Sequence, residues 1–196
     1  MSIMYKLVDM NLLYSSKAQQ YLERLGVKSG RMEIVYNGIE IDHLLQNEQE
    51  ILDKAHLIRK QNGCETKLVF VYVGGLFDEK KVDLLLSAFA QIEKKQDDLC
   101  LWIVGDGPDR KKLESQKLKL HLENVIFWGR IIEEADVYFA AGDVFVLPGV
   151  GGLALNQAMF WRKPCIVSEA DGTEGELMIE GKTGFRFEKD SVSSLV

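Results

Sequence analysis

Four times between residues 68 and 161 the chain runs through the same order of events: a short apolar run, a turn built on glycine, then apolar residues at helical spacing. The runs are Leu68–Val73, Leu99–Val104, residues 125–128 and Val144–Leu147, and Cys165–Ser168 supplies a fifth. Continuous apolar runs of this length suit a parallel sheet buried on both faces. Consecutive parallel strands need crossover connections, which the helical segments at residues 80–94, 109–120, 132–141 and 153–161 supply. The pattern predicts an α/β, Rossmann-like parallel sheet with helices on both faces. Ligands of such sheets bind beyond the carboxyl ends of the strands, which is where the glycine turns fall.

Those turns carry the candidate chemistry. Gly74-Gly75 is followed by Lys80, which offers backbone amides and then a cation. Gly105-Asp106-Gly107-Pro108 and Gly129-Arg130 stand at equivalent places after the next two strands. After Pro148, the residues Gly149, Gly151 and Gly152 permit positive φ and leave no Cβ between the backbone and whatever approaches it. A strand feeding a helix through such a turn presents free N–H groups and the positive end of the helix dipole to one point, which suits a phosphate.

The stretch Gly149-Val150-Gly151-Gly152-Leu153-Ala154 spells G-x-G-x-x-A, with Glu169 at the end of the next strand. This is the form of a dinucleotide fingerprint, but that fingerprint belongs on the first strand of its domain, with several βα units after it. Too little chain follows Ala154, so an NAD-dependent oxidoreductase is disfavoured. Acidic residues gather late, at Glu169, Asp171, Glu174 and Glu176. They read as a solvated loop or as acceptors for sugar hydroxyls. Gly172 and Gly175 give this loop freedom to approach the sheet edge, and Glu176 is its candidate.

Upstream of the repeats the signals are weaker. Residues 7–16 form a faint strand ending in serines, and Ser16 is positioned to cap a helix over residues 17–25 that stops at Gly26. Residues 32–36 read as a short strand before the Asn37-Gly38 turn. Ile51, Leu52, Ala55 and Ile58 give a helix at about residues 47–60.

A net charge of −6 excludes a non-specific nucleic-acid surface, which needs a basic face. With 46% hydrophobic and 28% charged residues and only three prolines, the composition is that of a globular chain without a long linker. Cys64, Cys100 and Cys165 lack metal-ligand spacing and read as free thiols of a reducing compartment. His43, His56 and His121 are scattered, and no zinc site is expected. No stretch approaches the roughly 18 apolar residues of a membrane span, so a cytoplasmic location is expected, with room for peripheral membrane association.

Six blocks carry a family resemblance. In order they are Val35-Tyr36-Asn37-Gly38-Ile39, Tyr72-Val73-Gly74-Gly75-Leu76 with Lys80, Val104-Gly105-Asp106-Gly107-Pro108, Asn124-Val125-Ile126-Phe127-Trp128-Gly129-Arg130, Asp143-Val144-Phe145-Val146-Leu147-Pro148, and Glu180-Gly181-Lys182-Thr183-Gly184-Phe185. Together they resemble the donor half of the family 4 retaining glycosyltransferases of GT-B fold. The resemblance implies that residues 1–39 are a remnant of the N-terminal acceptor domain, its last βα unit and strand. Residues 40–196 would be the C-terminal nucleotide-sugar binding domain, cut short at its closing helices.

By the same resemblance, Gly74, Gly75 and Lys80 face the diphosphate, with Lys80 as the catalytic cation. Gly105 belongs to the same set of turns, Gly129, Arg130 and Ile131 frame the base, and Gly149, Val150, Gly151, Gly152 and Leu153 offer amides to sugar and phosphate. The family usually has arginine where Gly75 stands, and a pair of glutamates where this chain has Gly149 and Gln157. Gln157 retains an uncharged contact to ribose. No cofactor is implied beyond a nucleotide-sugar substrate such as a UDP-sugar or GDP-sugar. The implied partner is a glycan or lipid-linked acceptor held by the other domain, and the unpaired N-terminal sheet edge implies self-association. A non-catalytic nucleotide-binding or scaffold domain of the same fold is the alternative.

Overall fold

The computed structural model describes residues 3–169 and 174–196. Met4–Leu7 forms a single helical turn, α1. The strands β1 (Asn11–Leu13) and β2 (Met32–Ile34) pair in parallel across the helix α2 (Ser16–Arg24) and make a small sheet of their own. Ser15, and not the expected Ser16, caps α2, its hydroxyl accepting from Ala18 N at 3.2 Å. Leu13, Leu22 and Val27 form the small core of this unit.

Two helices lead into the main domain, the short α3 (Asp42–Gln46) and the longer α4 (Glu48–Gln61). The repeats then follow as β3 (Leu68–Val73), α5 (Val82–Glu93), β4 (Leu99–Val104), α6 (Arg110–Lys119), β5 (Val125–Gly129), α7 (Ala135–Ala141), β6 (Val144–Leu147), α8 (Ala154–Phe160) and β7 (Cys165–Ser168). A last segment adds α9 (Glu174–Leu177), β8 (Gly184–Phe187) and α10 (Val192–Leu195). The six strands β3 to β8 form one parallel sheet in the order β5-β4-β3-β6-β7-β8. The order reverses between β3 and β6, so the loops after these two strands flank the switch point of the sheet.

Both faces are covered, as the continuous apolar runs require. On one face Val69, Val71, Trp102, Val104, Phe145 and Leu147 pack with Ala55 of α4, Phe139 of α7 and Leu155 of α8. On the other, Tyr72, Leu101, Ile103 and Val146 pack with Leu86 and Phe89 of α5 and Leu113 of α6. The alternation along β3, with Val69 and Val71 on one side and Phe70 and Tyr72 on the other, is the pleat at work. Every residue of β4 is buried.

Arg59, near the end of α4, locks this helix to the sheet. Its guanidinium donates to the carbonyls of Cys64 (3.1 Å), Lys67 (2.6 Å) and Ala141 (2.9 Å), and pairs with Asp143 at 2.8 Å. The other carboxylate oxygen of Asp143 accepts from Val69 N at 2.8 Å. One side chain thus ties together the starts of β3 and β6 and the end of α7.

Two helix starts and one strand differ from the sequence reading. The helix expected from residue 80 begins at Val82, because a 3-10 turn occupies Asp78–Lys80 and Lys81 adopts φ 54. The helix expected from residue 132 begins at Ala135, leaving Ile132 exposed in the loop. Strand β8 is an addition to that reading: Arg186 interrupts its apolar residues, and Phe185 is exposed at the edge of the sheet.

Candidate ligand site at the sheet switch point

The loops at the carboxyl ends of β3, β4 and β5 are joined by their backbones. Gly74 N donates to Val104 O (2.9 Å), Leu76 N to Asp106 O (3.0 Å), Asp109 N to Leu76 O (3.1 Å) and Gly105 N to Gly129 O (2.7 Å). Such contact leaves no room for side chains. Gly105 has φ 142, and a Cβ there would overlap the carbonyl oxygen of Gly74; one on Gly107 would overlap the carbonyl of Leu76. These glycines admit a neighbouring loop.

Beneath them stands Tyr72, fully buried, whose hydroxyl donates to Gly75 O at 2.7 Å. Burial pushes its phenol well above the ordinary tyrosine range, so it remains a donor. Gly74 is needed above it, since a Cβ would lie 2.8 Å from that hydroxyl.

The joined loops enclose a cavity of about 610 Å³, a size suited to a small-molecule ligand. Gly74, Gly75 and Gly105 line it together with Arg130, Ile131 and Ile132. Val73, Val104 and Phe77 supply further apolar surface, and Asp106 and Gly107 complete the lining. Gly129 ends β5 with φ 76, and a Cβ there would come 2.9 Å from Arg110 Nη1. That guanidinium is held by Glu114 at 2.9 Å and Asp106 at 3.6 Å.

Lys80 lies at the switch point itself. Its ammonium donates to Val150 O at 2.8 Å and Gly151 O at 3.3 Å, across from the loop after β6. Val150 N in turn donates to Glu79 O at 3.1 Å. A Cβ on Gly149 would overlap the backbone of Glu79 and Lys80. The positive φ expected at Gly149, Gly151 and Gly152 is not found; close approach of two loops makes glycine necessary at 149, while Gly152 faces open space. Leu153 precedes the first turn of α8 and is partly exposed.

Two candidates lie elsewhere. Gln157, on α8, reaches Asp136 of α7 at 3.4 Å, and the same carboxylate accepts from Trp161 Nε1 at 2.7 Å. Glu176, on α9, accepts a hydrogen bond from Ser16 N. It lines a separate cavity of about 530 Å³ with Tyr14, Tyr36, Asn37 and Leu177, between the small sheet and α9. Asp171, Gly172 and the side chain of Glu174 lie outside the described residues. Among the described residues no group of three His, Cys, Asp or Glu is placed to hold a metal, and no helix is long and apolar enough to cross a membrane.

Of the other lining residues, Val73 and Val104 read in the sequence as strand and Asp106 and Gly107 as turn, while Phe77 and Ile132 are not singled out at all. Both sit just after glycine turns, and both are large apolar side chains in loops. That was their only local signal.

A doubly covered parallel sheet with its cavity beside the switch point defines a Rossmann-like ligand-binding domain. The chain belongs to the group 1 glycosyl transferases, whose family model matches residues 53–196. It is 32% identical over 145 residues to the sulfoquinovosyl transferase SQD2 of Arabidopsis thaliana, covering 71% of this chain and 27% of that one. It is 27% identical over 168 residues to the GDP-mannose-dependent alpha-(1-6)-phosphatidylinositol monomannoside mannosyltransferase of Mycolicibacterium smegmatis, covering 80% and 43%. In structure it is similar to Anabaena HepE, solved with UDP, at a TM-score of 0.81 and 22% identity, over 96% of this chain and 52% of that one. The chain therefore spans less than half the length of these two relatives and about half of the solved structure. The fold is that of GT-B glycosyltransferases.

Proposed function

We propose that this chain binds the donor of a retaining glycosyltransferase of family 4, a hexosyl donor activated as a nucleoside diphosphate, and most directly a UDP-sugar. The observation that carries the reading is the placement of Gly74, Gly75, Gly105, Arg130 and Ile131 around one cavity, with Lys80 beside it at the switch point. The structures of HepE with UDP and with UDP-glucose support the choice of base. Relatives named for acting on phosphatidylinositol mannoside and for making glucosyldiacylglycerol support a lipid-linked or glycan acceptor. A cytoplasmic protein that meets its acceptor at a membrane surface fits this reading.

The base enters the cavity and the diphosphate extends toward Lys80. In the transfer the bond from the anomeric carbon to the diphosphate oxygen breaks, and a bond from an acceptor hydroxyl forms on the same face of the sugar. The hydroxyl proton passes to the leaving phosphate oxygen. The charge that develops there is what a fixed cation and oriented amides stabilise, and Lys80 supplies the cation.

A domain that binds nucleotide without transfer is the second reading. It is favoured by the backbone packed against Gly149 and the contact between Gln157 and Asp136, which occupy two positions where the family resemblance implies glutamates.

Calorimetric titration with UDP, GDP, ADP and NAD, repeated on Lys80→Ala, tests the proposal. Preferential binding of one nucleoside diphosphate, weakened by the substitution, is the expected result. A folded chain that binds none of them, or binds NAD most tightly, overturns it.

A further inference from the structure

Phe77 occupies a position that Gly75 makes possible. Its side chain is 44% exposed and, among the described residues lining the 610 Å³ cavity, it is the sole aromatic. The ring edge stands where a side chain at Gly75 would begin: a Cβ there would overlap Cε2, with Cδ2 at 2.8 Å and Cζ at 3.6 Å. Below, the carbonyl of Gly75 is fixed by the buried Tyr72 hydroxyl at 2.7 Å. The result is a platform of three parts, with a buried phenol, a bare backbone and an aromatic ring on top.

The chemistry of the cavity says what such a ring meets. Val73, Val104, Ile131 and Ile132 make most of the wall apolar, while the Lys80 ammonium lies outside it among the carbonyls of the loop after β6. A ligand with a flat ring and an anionic tail matches this division, ring within and tail toward the cation. A half-exposed aromatic face gains most by stacking on another flat ring, and such stacking tolerates any base because each presents a π-face. We propose that Phe77 is a binding residue that stacks on the nucleobase of the donor, and that Gly75 is the residue that gives its ring a place to lie. The proposal rests on the donor-binding reading given above.

The test is calorimetric titration of the chain with UDP, UMP and inorganic pyrophosphate. Phe77→Ala weakens UDP and UMP by a common factor of roughly tenfold, and leaves pyrophosphate unchanged. Phe77→Tyr keeps the affinity. Gly75→Ala reproduces the loss, because its methyl displaces the ring, and Gly75→Ala combined with Phe77→Ala is no weaker than Phe77→Ala alone, as expected of two residues acting through one contact. Unfolding in urea confirms that each variant is folded. UDP binding that survives Phe77→Ala unchanged overturns the stacking role and leaves the donor-binding reading standing. So does a loss seen with UDP and pyrophosphate and absent with UMP. A folded parent chain that binds no UDP overturns both.

Discussion

The ammonium of Lys80 lies 2.8 Å from the carbonyl oxygen of Val150, so the loops after β3 and β6 are bridged across the point where the strand order reverses. With Val150 N donating to Glu79 O, the bridge is reciprocal. A cation predicted to meet phosphate thus already has two carbonyl partners. Binding of a diphosphate exchanges these for phosphate oxygens or adds to them.

Lys80→Ala should therefore act twice. Loss of the bridge lowers stability by about 1 kcal/mol, the scale of a partly exposed charge-assisted hydrogen bond, read from urea unfolding. Loss of the cation lowers affinity for a nucleoside diphosphate by about tenfold or more, read by calorimetry. A variant with normal stability and normal affinity would remove Lys80 from the site.

Two glycines of the same region should respond in opposite ways to alanine. Gly105→Ala forces a methyl into the Gly74 carbonyl at φ 142, and should cost more than about 3 kcal/mol or prevent folding. Gly152 has open space around it and ordinary φ, so Gly152→Ala should leave stability unchanged or raise it by about 0.5 kcal/mol. Thermal or urea unfolding of the pair separates them.

Arg59→Met should be the most damaging change of a charged side chain in this chain's main domain. It leaves Asp143 without its cation and removes the guanidinium donor from three carbonyls, at a cost of about 2–4 kcal/mol. Arg162→Ala removes only an exposed contact to Glu48 and should cost under about 1 kcal/mol. Equal effects in urea unfolding would contradict the locking role of Arg59.

Stability should fall as pH rises from about 9 toward 12. Burial pushes the thiols of Cys100 and Cys165 up to about 12, with a further push on Cys100 from Cys64, and burial also raises the Tyr72 phenol. Groups that hold their protons more tightly in the fold stabilise it fully below their unfolded values and lose that contribution as pH climbs to the folded ones. Lys163, whose ammonium burial holds below its ordinary value, opposes this in the lower part of the window. Two thiols and a phenol outweigh one ammonium. Urea midpoints across this range check the sign, and resistance of the buried thiols to alkylation in the native chain at neutral pH checks the cause.

Much of the fold was legible because its signals are local. Period-2 strands apolar on both faces, glycine after each, and the helical spacing of Val82, Leu85, Leu86 and Phe89 need only neighbouring residues to be read. The edge strand β8 escaped because Gly184-Phe185-Arg186-Phe187 holds no continuous apolar run. Helix starts at Val82 and Ala135 escaped because each depends on how the preceding loop is held. The cavity was legible as a set of turns, though Gln157 and Glu176 joined other partners, and no local pattern distinguishes a glutamine facing a ligand from one facing Asp136.

The sequence by itself determined the doubly covered parallel sheet and the glycine turns at the carboxyl ends of its strands, since burial pattern and turn chemistry are written residue by residue. Only the tertiary structure decided what each glycine is for. Gly105, Gly107 and Gly149 make room for other loops, Gly75 makes room for Phe77, and Lys80 finds Val150 across seventy residues of chain. Gly75 and Phe77 aside, these are contacts between segments remote in sequence: those of Gly105 and Gly107 exist only once β4 lies beside β3, and those of Gly149 and Lys80 only once β6 does.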